Sequence, residues 1–530
     1  MKKTTIFFLT VLLLSLSEYS RSENDPYSIE IERIYIPGSP AIHSFAFAEL
    51  NGKWLFVGGR TNGLHGFNPG DAFPKQYSNK NIFVVNPNTQ ETFSKNIFSD
   101  CSYNTADPMR STNMQYYQDG NKLYLIGGYG YDSASNSLIT FPVLTVIDVN
   151  ETMQAIISGS SISPYIRQIS DSRLQVSGGE LQKLGDYFYL AGGHNFTGTY
   201  TRTVNNQIYT DKIQKFKIID NGVSINLSDY SSWTDSVEFH RRDMNLVPAM
   251  KPDGVTPYMI LYGGVFKRNA DLPFLNPIYI DASGPVVDYS FEQKMSQYTC
   301  SYLSAFNSNT GSMHTTFLGG TSLYYYNENT HMLQYDSLVP FIDDITTLTK
   351  NSSGVSDERL SVNRLPALLG TNAKFILNES IPQYSNKIIK LHEISGRTFA
   401  GIIYGGIRAI LPNNTPSFPS DYILKVYITP KTLNVNHIGN TVPQKYELGQ
   451  NYPNPFNPET KIKFSIPSAS FTRLSVYDEL GREVTKLVEN KLDAGVYELN
   501  WDGTGFSSGV YYYKLETGSF SETRKMFLLK

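Results

Sequence analysis

Six times along this chain a short apolar strand runs into a pair of glycines. The six are Trp54 to Gly59, Leu123 to Gly128, Phe188 to Gly193, Met259 to Gly264, Thr316 to Gly320 and Gly401 to Gly406. Their first glycines are 69, 65, 71, 56 and 86 residues apart. A motif recurring at such a period marks a repeat architecture, in which each unit buries its apolar faces on its neighbours. Turn signals precede several copies: Asn51-Gly52, Asp119-Gly120, Gly185-Asp186 and Asp253-Gly254. Such pairs close tight hairpins. After each glycine pair comes a second apolar strand and a polar turn. These span Ile82 to Asn88, Leu144 to Asn150, Ile213 to Gly222, Ile278 to Gly284, Leu323 to Asn329 and Ile423 to Pro430. Glycine lacks Cβ, so it permits positive φ and the close approach of another strand.

Composition supports an all-β chain. Tyr (37) and Phe (30) are abundant beside many turn residues, and few stretches hold a 3.6-residue apolar period. Charged residues are only 18% and the net charge is −3, with no basic patch dense enough for nucleic acid. The N-terminus has the form of a secretory signal peptide, assigned to residues 1–22: a basic Met1-Lys-Lys, an apolar run from Ile6 to Leu14, and small residues at Ser20 and Ser22. That run is far shorter than the ~20 residues of a membrane span, and no later segment is long and apolar enough.

The repeat resembles the Kelch repeat, in which each unit is a four-stranded blade of a β-propeller. The resemblance covers roughly residues 27 to 437 and implies a six-bladed Kelch-type β-propeller over residues 23–437, similar to the central domain of galactose oxidases. The period is longer than the family's, and the usual Trp of the outer strands is absent. A seventh, degenerate unit has room in the 86-residue interval. The strand Ser28 to Ile36 is expected to complete the last unit beside Leu433 to Val435.

A polar linker (438–445) leads to a tail, 446–530, with strand patterns at Lys461 to Ile466, Thr472 to Tyr477, Glu483 to Val488, Gly495 to Trp501, Gly509 to Leu515 and Ser521 to Leu529. Short strands separated by turns suggest a small Ig-like β-sandwich. The run Asn451, Tyr452, Pro453, Asn454, Pro455, Phe456, Asn457, Pro458, with Gly495, Gly509 and the terminal Lys530, resembles the type A C-terminal sorting domain of type IX secretion cargo. The resemblance implies the type IX outer-membrane machinery as a partner. It also implies passage through the periplasm and a secreted or cell-surface protein.

Candidate binding residues sit where a propeller's loops line its channel mouth. His240 to Asn245 contains Arg241, Arg242 and Asp243, three consecutive charges in a charge-poor chain. Arginine forks suit carboxylates and sulfated or phosphorylated groups, although an Arg–Asp pair bracing a blade is an equally open use. Arg60 and His65 follow the first glycine pair, His194 follows the third and Arg408 the sixth. Arg110 and Arg173 precede the second and third inner strands. The eight His lack metal-ligand spacing, and no P-loop or Gly-x-Ser-x-Gly elbow is present. No metal or cofactor is therefore expected. The Kelch-type copper centre of galactose oxidases finds no specific match. Cys101 and Cys300 fall in units two and five, opposite each other in a six-unit ring. Separate buried thiols are favoured over a disulfide, whose Cα atoms must lie within ~7 Å. The expected function is a binding module for an extracellular glycan or protein ligand. The alternative is a sugar-acid-modifying enzyme resembling the six-bladed Kelch sialic-acid epimerases, with Arg60, Arg241 and Arg242 holding a carboxylate and Asp243 or a loop Glu moving a proton.

Overall fold

The computed structural model describes residues 21–22, 25–68, 70–201, 206–268, 270–431, 436–437, 443–492, 494–503, 506–518 and 520–529. Most of the stretch read as a signal peptide (1–20), part of the linker (438–442) and Lys530 lie outside these residues.

The chain is all-β. Among the described residues its only α-helices are Tyr103–Met109 and Val149–Ser158. Between Tyr27 and Pro430 it builds six successive sheets, antiparallel apart from short parallel pairings in the fifth, each begun by an inner strand: Ala46–Leu50, Gln115–Asp119, Glu180–Leu184, Asn245–Met250, Ser301–Asn307 and Lys374–Leu377. Beside each inner strand runs the strand that leads into the glycine pair: Lys53–Val57, Lys122–Ile126, Tyr187–Ala191, Pro257–Tyr262, Ser312–Thr321 and Thr398–Tyr404. These second strands are buried on both faces over most of their length, which is why they read as unbroken apolar runs.

Among the described residues no strand ladder joins the inner strand of one sheet to that of the next, so the six do not merge into a single closed sheet. They meet face to face through apolar cores. Leu55 packs with Leu123 between sheets one and two, Ile126 with Leu190 between two and three, and Tyr189 with Met259 between three and four. Ile260 packs with Phe317, and Leu318 with Ile403. Sheet six in turn packs on sheet one, with Tyr404 stacked on Phe56 at 4.3 Å between ring centroids. The glycine pairs make this approach possible. At Gly193, φ is +85°, and a Cβ would lie 2.8 Å from the Gly179 nitrogen and 2.5 Å from Val176 Cγ1. Its N–H donates to the Arg241 carbonyl of the following sheet at 2.7 Å. A side chain at Gly193 would collide with the segment that enters its own sheet, and a Cβ at Gly192 would lie 2.5 Å from the Arg241 carbonyl oxygen of the following sheet.

The N-terminal strand does complete the last sheet, with a different partner from the one expected. Tyr27–Ile34 pairs antiparallel with Ile423–Pro430, Tyr27 opposite Pro430. Leu433 to Val435 lie outside the described residues. Sheet five also departs from the simple repeat. The strand expected at Leu323 to Tyr326 forms a separate hairpin, Tyr324–Asn327 with Met332–Tyr335, and the third strand of the sheet is Phe341–Lys350. This inserted hairpin, the strand Phe341–Lys350, the long strand Ser356–Arg364 and Leu368–Thr371, the first strand of a small sheet with Ile407–Leu411 and Asn414–Pro419, take up much of the 86-residue interval. Among the described residues no seventh four-stranded unit occurs there.

In the tail, two four-stranded sheets share one core. Ile462, Phe464 and Leu499 come from one sheet and Leu474, Val476 and Tyr513 from the other. Each of the six tail strands read from sequence is present, within four residues at either end.

Candidate functional site

Two positions before each inner strand, the backbone turns left-handed: Ser44, Asn113, Gly178, Asp243, Thr299 and Asn372 have φ of 56°, 52°, 66°, 55°, 49° and 57°. These six residues are hydrogen-bonded in sequence. Asn113 N–H donates to Ser44 O (3.2 Å), Gly178 N–H to Asn113 O (3.0 Å), and Asp243 N–H to Gly178 O (2.6 Å). Thr299 Oγ1 donates to Asp243 O (2.7 Å). Asn372 N–H donates to Thr299 O (2.5 Å) and Ser44 N–H to Asn372 O (3.4 Å), returning to the start. The residue before each ring member is bridged to the residue after a glycine pair: His43 to Arg60, Thr112 to Tyr129, Ser177 to His194, Arg242 to Val265, Tyr298 to Thr321 and Thr371 to Ile407. Arg60 and His194 therefore occupy equivalent positions, as their spacing from the glycines suggests.

Five of the sequence-derived candidates meet on the loop side of this ring. Arg60 donates to Asn62 Oδ1 (3.0 Å) and Pro74 O (2.9 Å) and covers the Phe73 ring. His65 stacks on Phe73 at 4.3 Å and meets Tyr200 edge-on. Burial, with Arg242 and Arg60 nearby, pushes its pKa down to about 4. His194 is bonded to Gln207 at 2.5 Å and is kept neutral by burial and by Arg242. Arg242 bonds Asp243 (2.5 Å), Tyr200 Oη (3.1 Å) and Tyr209 Oη (3.3 Å). Burial pulls the guanidinium pKa down, but Asp243 and the two tyrosines outweigh it and hold the group charged. Burial pushes the Asp243 carboxyl up, and Arg242 opposes it. Aromatic rings fill the space between these groups, so the cluster is packed rather than open.

The other four arginines lie elsewhere. Arg241 is fully buried inside sheet four, where its guanidinium donates to Glu238 O, Gly263 O, Asn276 O and the Glu238 carboxylate. Arg110 pairs with buried Asp107 at 2.5 Å between the rings of Phe98 and Tyr131. Arg173 is half-exposed and paired with Asp171, and Arg408 lies beside the Tyr422 ring and Asp421. Arg241 therefore does not join Arg60 and Arg242. Cys101 and Cys300 are free, buried thiols.

The open space lies on the other side of the ring. A cavity of about 170 Å³ begins level with Thr299 and Ala373 and follows the inner strands toward Lys183, Ser304 and Leu377. Each of the six inner strands contributes to it: Phe47, Tyr116, Glu180, Pro248, Tyr302 and Lys374. Lys374 lies 5.1 Å from the Tyr116 ring centroid. Gln182 donates to Tyr302 Oη at 3.3 Å, which donates to Leu246 O. Burial raises the Glu180 carboxyl pKa, Lys374 draws it back, and Asp243 of the ring adds to the rise. None of these lining residues was singled out from sequence. The signal available was positional, two to five residues after each ring member, and the residue types there are mixed, three aromatic rings beside Glu180, Pro248 and Lys374.

In the tail, the proline-rich segment is sewn to the core and to the last strand. Asn451 N–H donates to Tyr513 Oη at 2.8 Å, and Asn451 Nδ2 to Thr460 Oγ1 at 3.0 Å. Phe456 N–H donates to Phe527 O and its carbonyl accepts from Leu529 N–H, both at 2.9 Å, with its ring against Trp501. Asn454 Oδ1 accepts from Phe527 N–H. Tyr452 alone of this run's aromatic residues is exposed, at 78%.

Residues 450–529 match the family described as the secretion system C-terminal sorting domain. No curated protein matches the chain. Among solved structures, a fungal alcohol oxidase of the AA5 family in complex with copper aligns at 10% identity, covering 96% of this chain and all of that one, with a TM-score of 0.36. PorZ, a surface component of the type IX secretion system of Porphyromonas gingivalis, aligns at 10% identity over 94% of this chain and all of that one, with a TM-score of 0.13. Likenesses this low carry no weight for the remainder of the chain. The sorting domain does: its bearer engages the type IX secretion machinery and is exported to the cell surface or the extracellular space.

Proposed function

We propose that the six sheets are the blades of a Kelch-type propeller, and that the exported protein is a binding module whose axial cavity receives a single saccharide unit of a glycan. The observation that carries this is the convergence of one side chain from each inner strand on one cavity. Tyr116, Tyr302 and Phe47 offer flat apolar faces to the C–H side of a sugar ring. Glu180, Lys374 and Gln182 offer polar groups that fix its orientation, the pattern of an apolar pocket with a few placed polar atoms. The packed loop cluster around Arg242 supports the ring from the other side.

The test is a glycan screen on the exported protein, followed by calorimetry with the best ligand. Glu180→Gln and Lys374→Met are each expected to weaken binding at least about tenfold, the effect of losing one buried charged contact. Binding that survives both, but is lost in Arg242→Met, would move the site to the loop face. A blank screen would leave a protein as the ligand class.

A further inference from the structure

Arg21 lies at the end of the stretch that the sequence assigns to the signal peptide, yet the fold holds a place for it. Arg21–Ser22 pairs in parallel with the outer strand of sheet five, Arg21 opposite Leu360 and Ser22 opposite Ser361. Its guanidinium uses every nitrogen. Nε and Nη2 donate to Glu328 Oε1 at 2.8 and 2.6 Å, Nη2 also to Asp344 Oδ1 at 2.7 Å, and Nη1 to the Ser361 carbonyl at 2.7 Å. The group lies 4.9 Å from the Tyr326 ring centroid. Asp344 is only 2% exposed. Three carboxylates gather here, Glu328, Asp343 and Asp344, and Arg364 serves Glu328 and Asp343. Arg21 is the cation bonded to Asp344. Without it a buried carboxylate loses its bonded cation and stands next to two others with only the unbonded Arg364 charge to offset it, an arrangement that is strongly destabilising.

We infer that signal peptidase cuts on the N-terminal side of Arg21, and that Arg21 stays in the exported protein as the lock on the outer edge of sheet five. The inference rests on residues near the N-terminus acting as a cleaved leader. Small residues at the required spacing are available upstream, at Ser15 and Ser17. Cleavage after Ser22 would instead discard the lock and uncover the outer edge of the strand Ser356–Arg364 at Leu360 and Ser361.

The first experiment is N-terminal sequencing of the protein recovered from the surface or medium of the cells that make it. A first residue at or before Arg21 is expected. A first residue at Ser22 or later overturns the inference. Retention of Met1 would overturn the leader itself, a separate failure. The second experiment compares leaderless chains beginning at Glu18. Arg21→Ala is expected to lower Tm by about 4 °C or more, and adding Asp344→Asn to recover part of the loss, because the stranded charge is then gone. An unchanged Tm on Arg21→Ala, or no recovery on neutralising Asp344, would overturn it.

Discussion

The backbone N–H of Asn113 donates to the carbonyl of Ser44 across 3.2 Å, and both residues stand in the left-handed region, at φ of 52° and 56°. The series continues through Gly178, Asp243, Thr299 and Asn372, with the Thr299 hydroxyl donating in place of its N–H, and ties six sheets that share no strand ladder among the described residues. What most of these residues have in common is tolerance of positive φ, which short polar side chains and glycine possess and β-branched aliphatics lack. Asn113→Val is therefore expected to destabilise the protein by about 1–3 kcal/mol, and Asn113→Gly by less than about 1 kcal/mol, in urea unfolding. Equal losses in the two variants would mean that the Asn side chain, not the backbone, matters here.

Arg241 and Arg173 make an opposite pair of arginines. Arg241 satisfies three carbonyls and the Glu238 carboxylate from a fully buried position. Arg241→Ala should lower stability by about 3–5 kcal/mol, because it strands those acceptors. Arg173, half-exposed beside Asp171, should lose less than about 1 kcal/mol on the same change. Chemical denaturation of both variants checks this. Similar losses would contradict a bracing role for Arg241.

The sequence made the sheets legible and the site much less so, for physical reasons. An apolar run ending in Gly-Gly is a local signal, because the buried second strand and the close approach of the next sheet are both enforced at that spot, as at Gly192. Arg241, Arg242 and Asp243 look alike in sequence but separate in the fold. Glu238, three residues earlier, captures Arg241 inside its sheet, while Arg242 turns to Tyr200 and Tyr209. The cavity residues escaped notice because Phe47, Tyr116, Glu180, Pro248, Tyr302 and Lys374 share an axial position, not a side-chain type. The hairpin at Tyr324–Asn327 read as a sheet strand because its strand–turn pattern is the same in either setting, and only the later Phe341–Lys350 decides which strand joins the sheet.

Acid should act through buried histidines. His314 is 5% exposed, and burial first, with Arg359 adding to it, lowers its pKa to about 3 from 6.5. The unfolded chain takes up the proton near pH 6.5, whereas the folded one resists it. The contribution of neutral His314 is therefore complete above pH 6.5 and is lost as pH falls toward 3, at about 1.4 kcal/mol per pH unit. Asp25 and Glu49, raised by burial to about 6 and about 7, act in the opposite sense over part of that range. The informative quantity is thus the difference from His314→Gln. The wild type should lose stability relative to that variant at each step from about pH 7.5 to 5.5 to 4.5. Parallel profiles would show that His314 takes its proton in the folded state as readily as in the unfolded one.

The tail separates a residue that builds the sorting domain from one that is free to be read. Phe456 is 2% exposed, bonded on both sides to the last strand and packed on Trp501. Phe456→Ala should cost about 3–5 kcal/mol and leave the protein in the periplasm because its tail no longer folds. Tyr452, four residues earlier, is 78% exposed, although its N–H and carbonyl pair with Lys461. Tyr452→Ala should change stability by less than about 0.5 kcal/mol. If the export machinery reads the exposed face of this segment, the same change should still reduce the fraction of protein at the cell surface. Fractionation of cells into periplasm, surface and medium, together with thermal unfolding of each purified variant, tests the two claims separately. Wild-type surface delivery of Tyr452→Ala would place the recognised face elsewhere on the tail.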